Sequence, residues 1–257
     1  MSITIQSMLK PFFFLLLTSL AIVSCKDDST NPLSGTHVGE EAAFASGKAR
    51  TYVTNDENGD PLEVGMVIDE AAFNSLKSST TDAYLSLDYP KEAERTTFKH
   101  QFMGYAPHGH EPAMVYDKPH FDFHYYTTSE SEREAITPFD TVKANIFPAA
   151  DYFPPAYFQV GLVPTMGVHW LDGTSPELTP GGTFTETFIW GSFNGKVTFW
   201  EPMITYQFIS DNKTFEKDLR QPAKYEVAGK FYPTKQGFTH DEAKKEYRFY
   251  LKSFVKR

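Results

Sequence analysis

From Ala49 onward, apolar residues recur at every second position in short runs separated by turn residues, which is the period of half-buried strands. ARTYVTND (49–56) and LEVGMVID (62–69) flank Asn58-Gly59, so the pair predicts a hairpin. EAAFNSLK (70–77) predicts two helical turns with Ala72, Phe73 and Leu76 on one side. DAYLSLDYP (82–90) predicts a strand ended by Pro90, and Thr97–Tyr105 alternates with Phe98, His100 and Phe102 on one face.

The sharpest alternation follows Pro119. Period two sets His120, Asp122, His124 and Tyr126 on one face and Phe121, Phe123 and Tyr125 on the other. With the aromatic face in a core, the polar face must meet water or line a cavity. Ser129 with Glu132 three residues on predicts a capped short helix. Pro154-Pro155 interrupts the aromatic run 149–164, which is expected to be an irregular wall. Phe184–Phe193 and Lys196–Trp200 predict a second hairpin about Asn194-Gly195, and Pro202 is expected to break the ladder before residues 203–209. Lys224–Phe231 and the run with Tyr247, Phe249 and Leu251 extend the alternation. The expected fold is mainly β: a single antiparallel β-sandwich or barrel, cupin-like in outline, with one or two short helices.

The first segment changes the picture of where the chain works. Lys10 precedes FFFLLLTSLAIV (12–23), a run too short for an ordinary spanning helix of about 20 residues. A basic start, a short apolar stretch and a small residue before the break read as a secretory signal. Ile22-Val23-Ser24-Cys25 resembles a bacterial lipobox, with Cys25 as the lipidated residue. Lys26-Asp27-Asp28 resembles the signal that sends some lipoproteins to the outer face. The expected organisation is a signal peptide over 1–24, an acylated cysteine and flexible tether over 25–41, and one β-rich domain over 42–257. Attachment to a membrane is then through lipid on Cys25, at the outer membrane or cell surface.

Cys25 is the sole cysteine, so no internal disulfide forms. The net charge of −9 argues against nucleic acid, which calls for basic patches. A homo-oligomer and a small-molecule ligand stay open as partners.

Four of the eight histidines fall between His108 and Tyr126, with Glu111 and Asp122 among them. MGVHW (166–170) and FWEPM (199–203) add His169 and Glu201 in apolar settings, where a carboxylate needs a cation, a metal or a proton. His110, His120, His124, His169 and Glu201 are the candidate metal ligands, with His108, Glu111 and Asp122 as supporting or alternative ligands. Mixed imidazole and carboxylate donors suit zinc, manganese or iron better than calcium. The alternative is a set of hydrogen-bonded core histidines beside a solvated polar face. Spacing restricts the first reading. Strand residues four apart lie about 13 Å apart, so His120 and His124 share an ion only if the strand bends, whereas pairs two apart chelate easily. GxSxG is absent, which disfavours a serine nucleophile.

GHEP (109–112), Tyr116, PHFDFHYY (119–126), VPTMGVHW (163–170), FWEPM (199–203) and the early DENGDPLEVGMVID (56–69) resemble an uncharacterised bacterial family. It is a family of domains of unknown function, typified by a thermophile protein under a sigma-E/anti-sigma-E pair. The resemblance spans roughly Arg50 to Phe208. It implies that His110, His120, Asp122, His124, His169 and Glu201 belong to a shared pattern, and it implies no activity. Pro164, Gly167 and His169 are loosely similar to the second motif of cupins, although the spacing is PxxGxH rather than PxGxxH. Three functional classes follow as expectations: a lipid-anchored envelope protein with a divalent metal, a non-catalytic or oligomeric stress-response protein, and a cupin-like metal-dependent hydrolase, lyase or oxygenase.

Overall fold

The computed structural model describes residues 31–257, of which Asn31–Arg257 form one compact unit. The signal segment, Cys25 and the start of the expected tether lie outside the described residues.

The chain enters through β1 (Gly35–Phe44), β2 (Gly47–Asn55) and β3 (Pro61–Asp69), then α1 (Glu70–Leu76). It crosses to a second sheet through β4 (Ala83–Asp88), β5 (His100–Ala106) and β6 (His120–Tyr126). Two short helices follow, α2 (Glu130–Glu134) and α3 (Thr141–Ala144). The second sheet is completed by β7 (Tyr157–Val163), β8 (Gly167–Asp172), β9 (Glu186–Phe193) and β10 (Lys196–Thr205). After α4 (Tyr206–Asp211) the chain returns through β11 (Thr214–Asp218), β12 (Phe231–Asp241) and β13 (Glu246–Lys256).

The first sheet runs β1-β2-β3-β13-β12-β11 and the second β4-β5-β6-β10-β9-β8-β7, with antiparallel pairing throughout. The sheets are not closed into a barrel, so the architecture is the sandwich of the two expected alternatives. Short α-helices number four among the described residues, more than the one or two expected, because α3 and α4 carry little periodic signal at 4 and 6 residues.

The aromatic face of β6 fills the space between the sheets as its period dictates. Phe123 stacks on Phe249 of β13 at 4.3 Å, and Phe121 stacks on Phe73 of α1 at 5.8 Å. Phe73 also stacks on Tyr247 at 4.1 Å, tying α1 to β13. Burying each such ring removes apolar surface worth about 2–3 kcal/mol. The helix α1 is capped by Asp69, whose Oδ1 accepts from Ala72 N at 2.7 Å. Ala72, Phe73 and Leu76 are its buried side, as the sequence predicts.

Several expectations are corrected. Residues 35–41 are not tether but the first part of β1, paired with β2. Most side chains of this edge strand are exposed, so backbone hydrogen bonds hold it and no apolar period announces it. The wall after Pro154-Pro155 becomes the edge strand β7, with a register shift between Gln159 and Gly161. Pro202 sits inside β10 instead of ending it; paired residues flank it at Trp200↔Tyr125 and Met203↔Asp122 of β6. Residues 206–209 are the helix α4, and the alternating run 224–230 lies outside any strand. The Asn194-Gly195 hairpin, the Asn58-Gly59 turn and the Ser129 capping box form as expected.

Candidate metal centre

The polar face of β6 is buried too. Facing away from the main core, it meets a second, smaller apolar cluster of Tyr116, Leu171, Phe184, Ile189 and Met203. Arg133 of α2 lies over the rings of Phe102 and Tyr126 at 4.6 and 5.7 Å and donates to Thr165 O at 3.0 Å. Tyr126 donates to Met166 O at 3.3 Å. The helix and the β7–β8 turn thus roof one end of this face, and loop 107–119 folds back over the other. His100 shares the face, stacked on Tyr126 at 4.8 Å, with Nδ1 3.1 Å from Thr128 O.

The six residues separate into two groups of three donors. In the deeper group the β6–β10 register sets Glu201 opposite His124, with Oε1 3.3 Å from Nε2. His169 reaches the same carboxylate from β8, across β9, with Nε2 3.6 Å from Oε2. Gly191 of β9 makes this reach possible. It pairs with both His169 and Phe199, and a Cβ there would overlap the Phe199 ring. That ring packs against both imidazoles, 5.1 Å from His124 and 4.9 Å from His169.

The outer group joins His120 and Asp122 of β6 to His110 of the loop. His120 Nε2 is 3.0 Å from Asp122 Oδ1 and 3.0 Å from His110 Nε2, which is 3.5 Å from Asp122 Oδ2. The loop is pinned by a backbone bond from His110 N to Tyr116 O. Gly109 carries φ +70, with no room for a Cβ against Tyr116 and Asp117.

In each group one donor atom per residue lies within 4.8 Å of the others, a span that a small divalent ion with ligand bonds of about 2.0–2.1 Å can draw together. The outward nitrogens are already engaged. His120 Nδ1 lies 2.7 Å from Lys118 O, His110 Nδ1 2.8 Å from Glu111 O, and His169 Nδ1 3.3 Å from Gly167 O. A nitrogen facing a carbonyl is the N–H, so in each neutral ring Nε2 presents its lone pair to the group. Among the described residues, both ring nitrogens of His124, Glu201 Oε2 and Asp122 Oδ1 are buried with no hydrogen-bond partner. Buried acceptors converging without a donor are costly unless a proton or cation joins them.

Protonation without an ion follows burial. Burial, then the neighbouring His169, lowers His124 to about 3, and burial, then His110, lowers His169 to about 4. Burial, then the charge of Asp122, pushes Glu201 well above the usual carboxylate range, so this group is neutral and Glu201 holds a proton. In the outer group burial alone would raise Asp122, but His120 and His110 outweigh it and hold the carboxylate low. Burial likewise opposes the charge on His110, and the contact with Asp122 overrides it to about 9.

Each candidate therefore has a place. His110, His120, His124, His169 and Glu201 all belong to a group, but to two groups rather than one shared set. Asp122, expected as support, is itself a donor. His108 and Glu111 join neither group: His108 contacts Thr80 O at 3.2 Å, and Glu111 accepts from Ala113 N at 2.7 Å. The roles of Phe199, Gly191 and the backbone carbonyls of Lys118 and Gly167 were missed. A carbonyl two residues before its histidine leaves no sequence signal, and Gly191 alone could have been flagged as a glycine inside a strand. A cavity of about 560 Å³ opens elsewhere, at the end of the sandwich over Phe98, Trp200 and Tyr232, and none of the six residues lines it. Comparison with protein-family models, with curated proteins and with solved structures gives no match to this chain.

Proposed function

We propose that this chain is a lipid-anchored envelope protein built around a buried divalent metal centre held by His124, His169 and Glu201. The observation that carries the centre is the convergence of one donor atom each from His124, His169 and Glu201, with His124 Nε2 and Glu201 Oε2 buried and without a hydrogen-bond partner among the described residues. Imidazole and carboxylate donors suit zinc, manganese or iron. The ion would bridge β6, β10 and β8 where side chains alone leave lone pairs facing one another, and so would add to folding stability. The sealed surroundings favour a structural ion here, closer to the non-catalytic envelope reading than to a cupin-like enzyme.

The anchor rests on the sequence pattern Lys10, Phe12–Val23 and Cys25, with Lys26-Asp27-Asp28 supporting the outer membrane or cell surface. The motif resemblance to the sigma-E-regulated family belongs to the same proposal. Among the described residues no helix is long and apolar enough to cross a membrane, so they offer no helical span in place of the lipid. Elemental analysis of the chain purified without a metal-binding tag tests the centre. Near-stoichiometric zinc, manganese or iron, lost in both His169→Ala and Glu201→Ala, is the expected result. Full metal content retained in both variants would overturn it.

A further inference from the structure

We propose that His110, His120 and Asp122 form a second, solvent-facing cation position beside the buried one, and that the ion held there receives an oxyanion of the phosphate or phosphomonoester class. The proposal rests on the buried-centre reading for its inner ion only.

His120 Nε2 and His110 Nε2 stand 3.0 Å apart and, respectively, 3.0 and 3.5 Å from the two oxygens of Asp122, and one donor atom from each residue lies within 4.8 Å of the others, close enough for one small divalent ion. His110 and His120 each turn Nδ1 toward a carbonyl oxygen, so once the His110 ring gives up its second proton both Nε2 lone pairs and the Asp122 carboxylate point at one place. Asp122 Oδ1 is buried there, and the nearest polar group is the His120 ring nitrogen at 3.0 Å. Three protein donors leave a tetrahedral ion one coordination position for a ligand from outside.

Access distinguishes the two groups. His124 and Glu201 are almost wholly enclosed, with 2% of each side chain exposed, whereas 43% of the His110 side chain reaches solvent. The inner position is sealed and the outer one faces water. Asp122 and His124 are two residues apart on one face of β6, so the two positions lie side by side, separated by about 7 Å of strand. Charge then selects the ligand. A divalent ion against the single carboxylate of Asp122 keeps a net positive charge, and its remaining coordination position faces water, so an anionic oxygen ligand of the phosphate class fits it.

The test uses the full chain purified in detergent, stripped of metal, reloaded with zinc and dialysed before elemental analysis. Two ions per chain are expected, with one left in His110→Ala, one left in Asp122→Asn, and one left in Glu201→Gln. Inorganic phosphate should raise the melting temperature of the zinc-loaded chain, have no effect on the metal-free chain, and lose its effect in His110→Ala. His110 lies in a half-exposed loop, so its loss leaves the sandwich intact, and Asp122→Asn keeps the shape of the side chain. A single ion per chain, unchanged by both outer variants, would overturn the second position. Two ions with no phosphate effect would overturn the oxyanion assignment. An ion lost with His110→Ala but untouched by Glu201→Gln would uphold the outer position and refute the buried centre.

Discussion

Glu201 Oε1 lies 3.3 Å from His124 Nε2 across the β6–β10 ladder, with 2% of each side chain exposed. At the surface this would be an ion pair. Here burial drives both groups toward their neutral forms, so in the metal-free chain a protonated carboxyl faces a neutral imidazole.

Glu201→Gln should therefore change metal-free stability by less than about 1 kcal/mol, since a neutral amide replaces a neutral carboxyl of the same shape. The same variant should remove the inner ion's share of the stabilisation on adding zinc, about 2.7 kcal/mol per site at a hundredfold excess over Kd. Urea unfolding in chelator and in zinc measures both. A large loss in chelator would mean that Glu201 is charged in the metal-free fold.

Gly191→Ala places a methyl group where the Phe199 ring lies, packed against both His124 and His169. Overpacking of this kind costs about 1–3 kcal/mol. Displacement of the ring should also loosen the approach of His169 to Glu201, so zinc affinity should fall along with the urea midpoint. A variant with wild-type affinity and midpoint would remove Phe199 from the account.

His100 gives a pH dependence that lies outside both donor groups. Burial, then the charge of Arg133, lowers its pKa from 6.5 to about 4. A depressed histidine contributes stability that is present above pH 6.5 and is lost as pH falls through the folded-state pKa. The loss on the order of 3 kcal/mol should accumulate between pH 6.5 and about 4, and the His100→Gln variant should lack that part of the slope. Chemical denaturation of both proteins across this range is the measurement. Parallel curves would show that His100 titrates alike in the folded and unfolded chain.

Phe123 faces the main core, opposite the donor groups, fully buried and stacked on Phe249 at 4.3 Å. Phe123→Ala should cost about 3–5 kcal/mol through the cavity it leaves. Under conditions where the variant stays folded, its metal stoichiometry should match the wild type. A lost ion in the folded variant would show that the two faces of β6 are coupled.

The sequence by itself determined what is local. Period two along residues 120–126 divided β6 into an aromatic face and an ionisable face, because successive side chains of a strand must point to opposite sides. Asn58-Gly59, Asn194-Gly195 and the Ser129–Glu132 pair marked their turns and their helix start through backbone requirements that a few neighbouring residues carry. The donor set was legible for the same reason: histidines and carboxylates embedded in apolar runs have no other low-cost means of being buried. What the tertiary structure decided was the grouping. Two donors four apart on one strand cannot meet, so each had to find partners elsewhere, His120 in the folded-back loop and His124 on β10 and β8. Strand order and register are long-range matters, set by which faces pack and which ladders pair across the whole sandwich. Only there did Glu201 come to stand opposite His124, and only there did Asp122 become a donor beside His120 and His110.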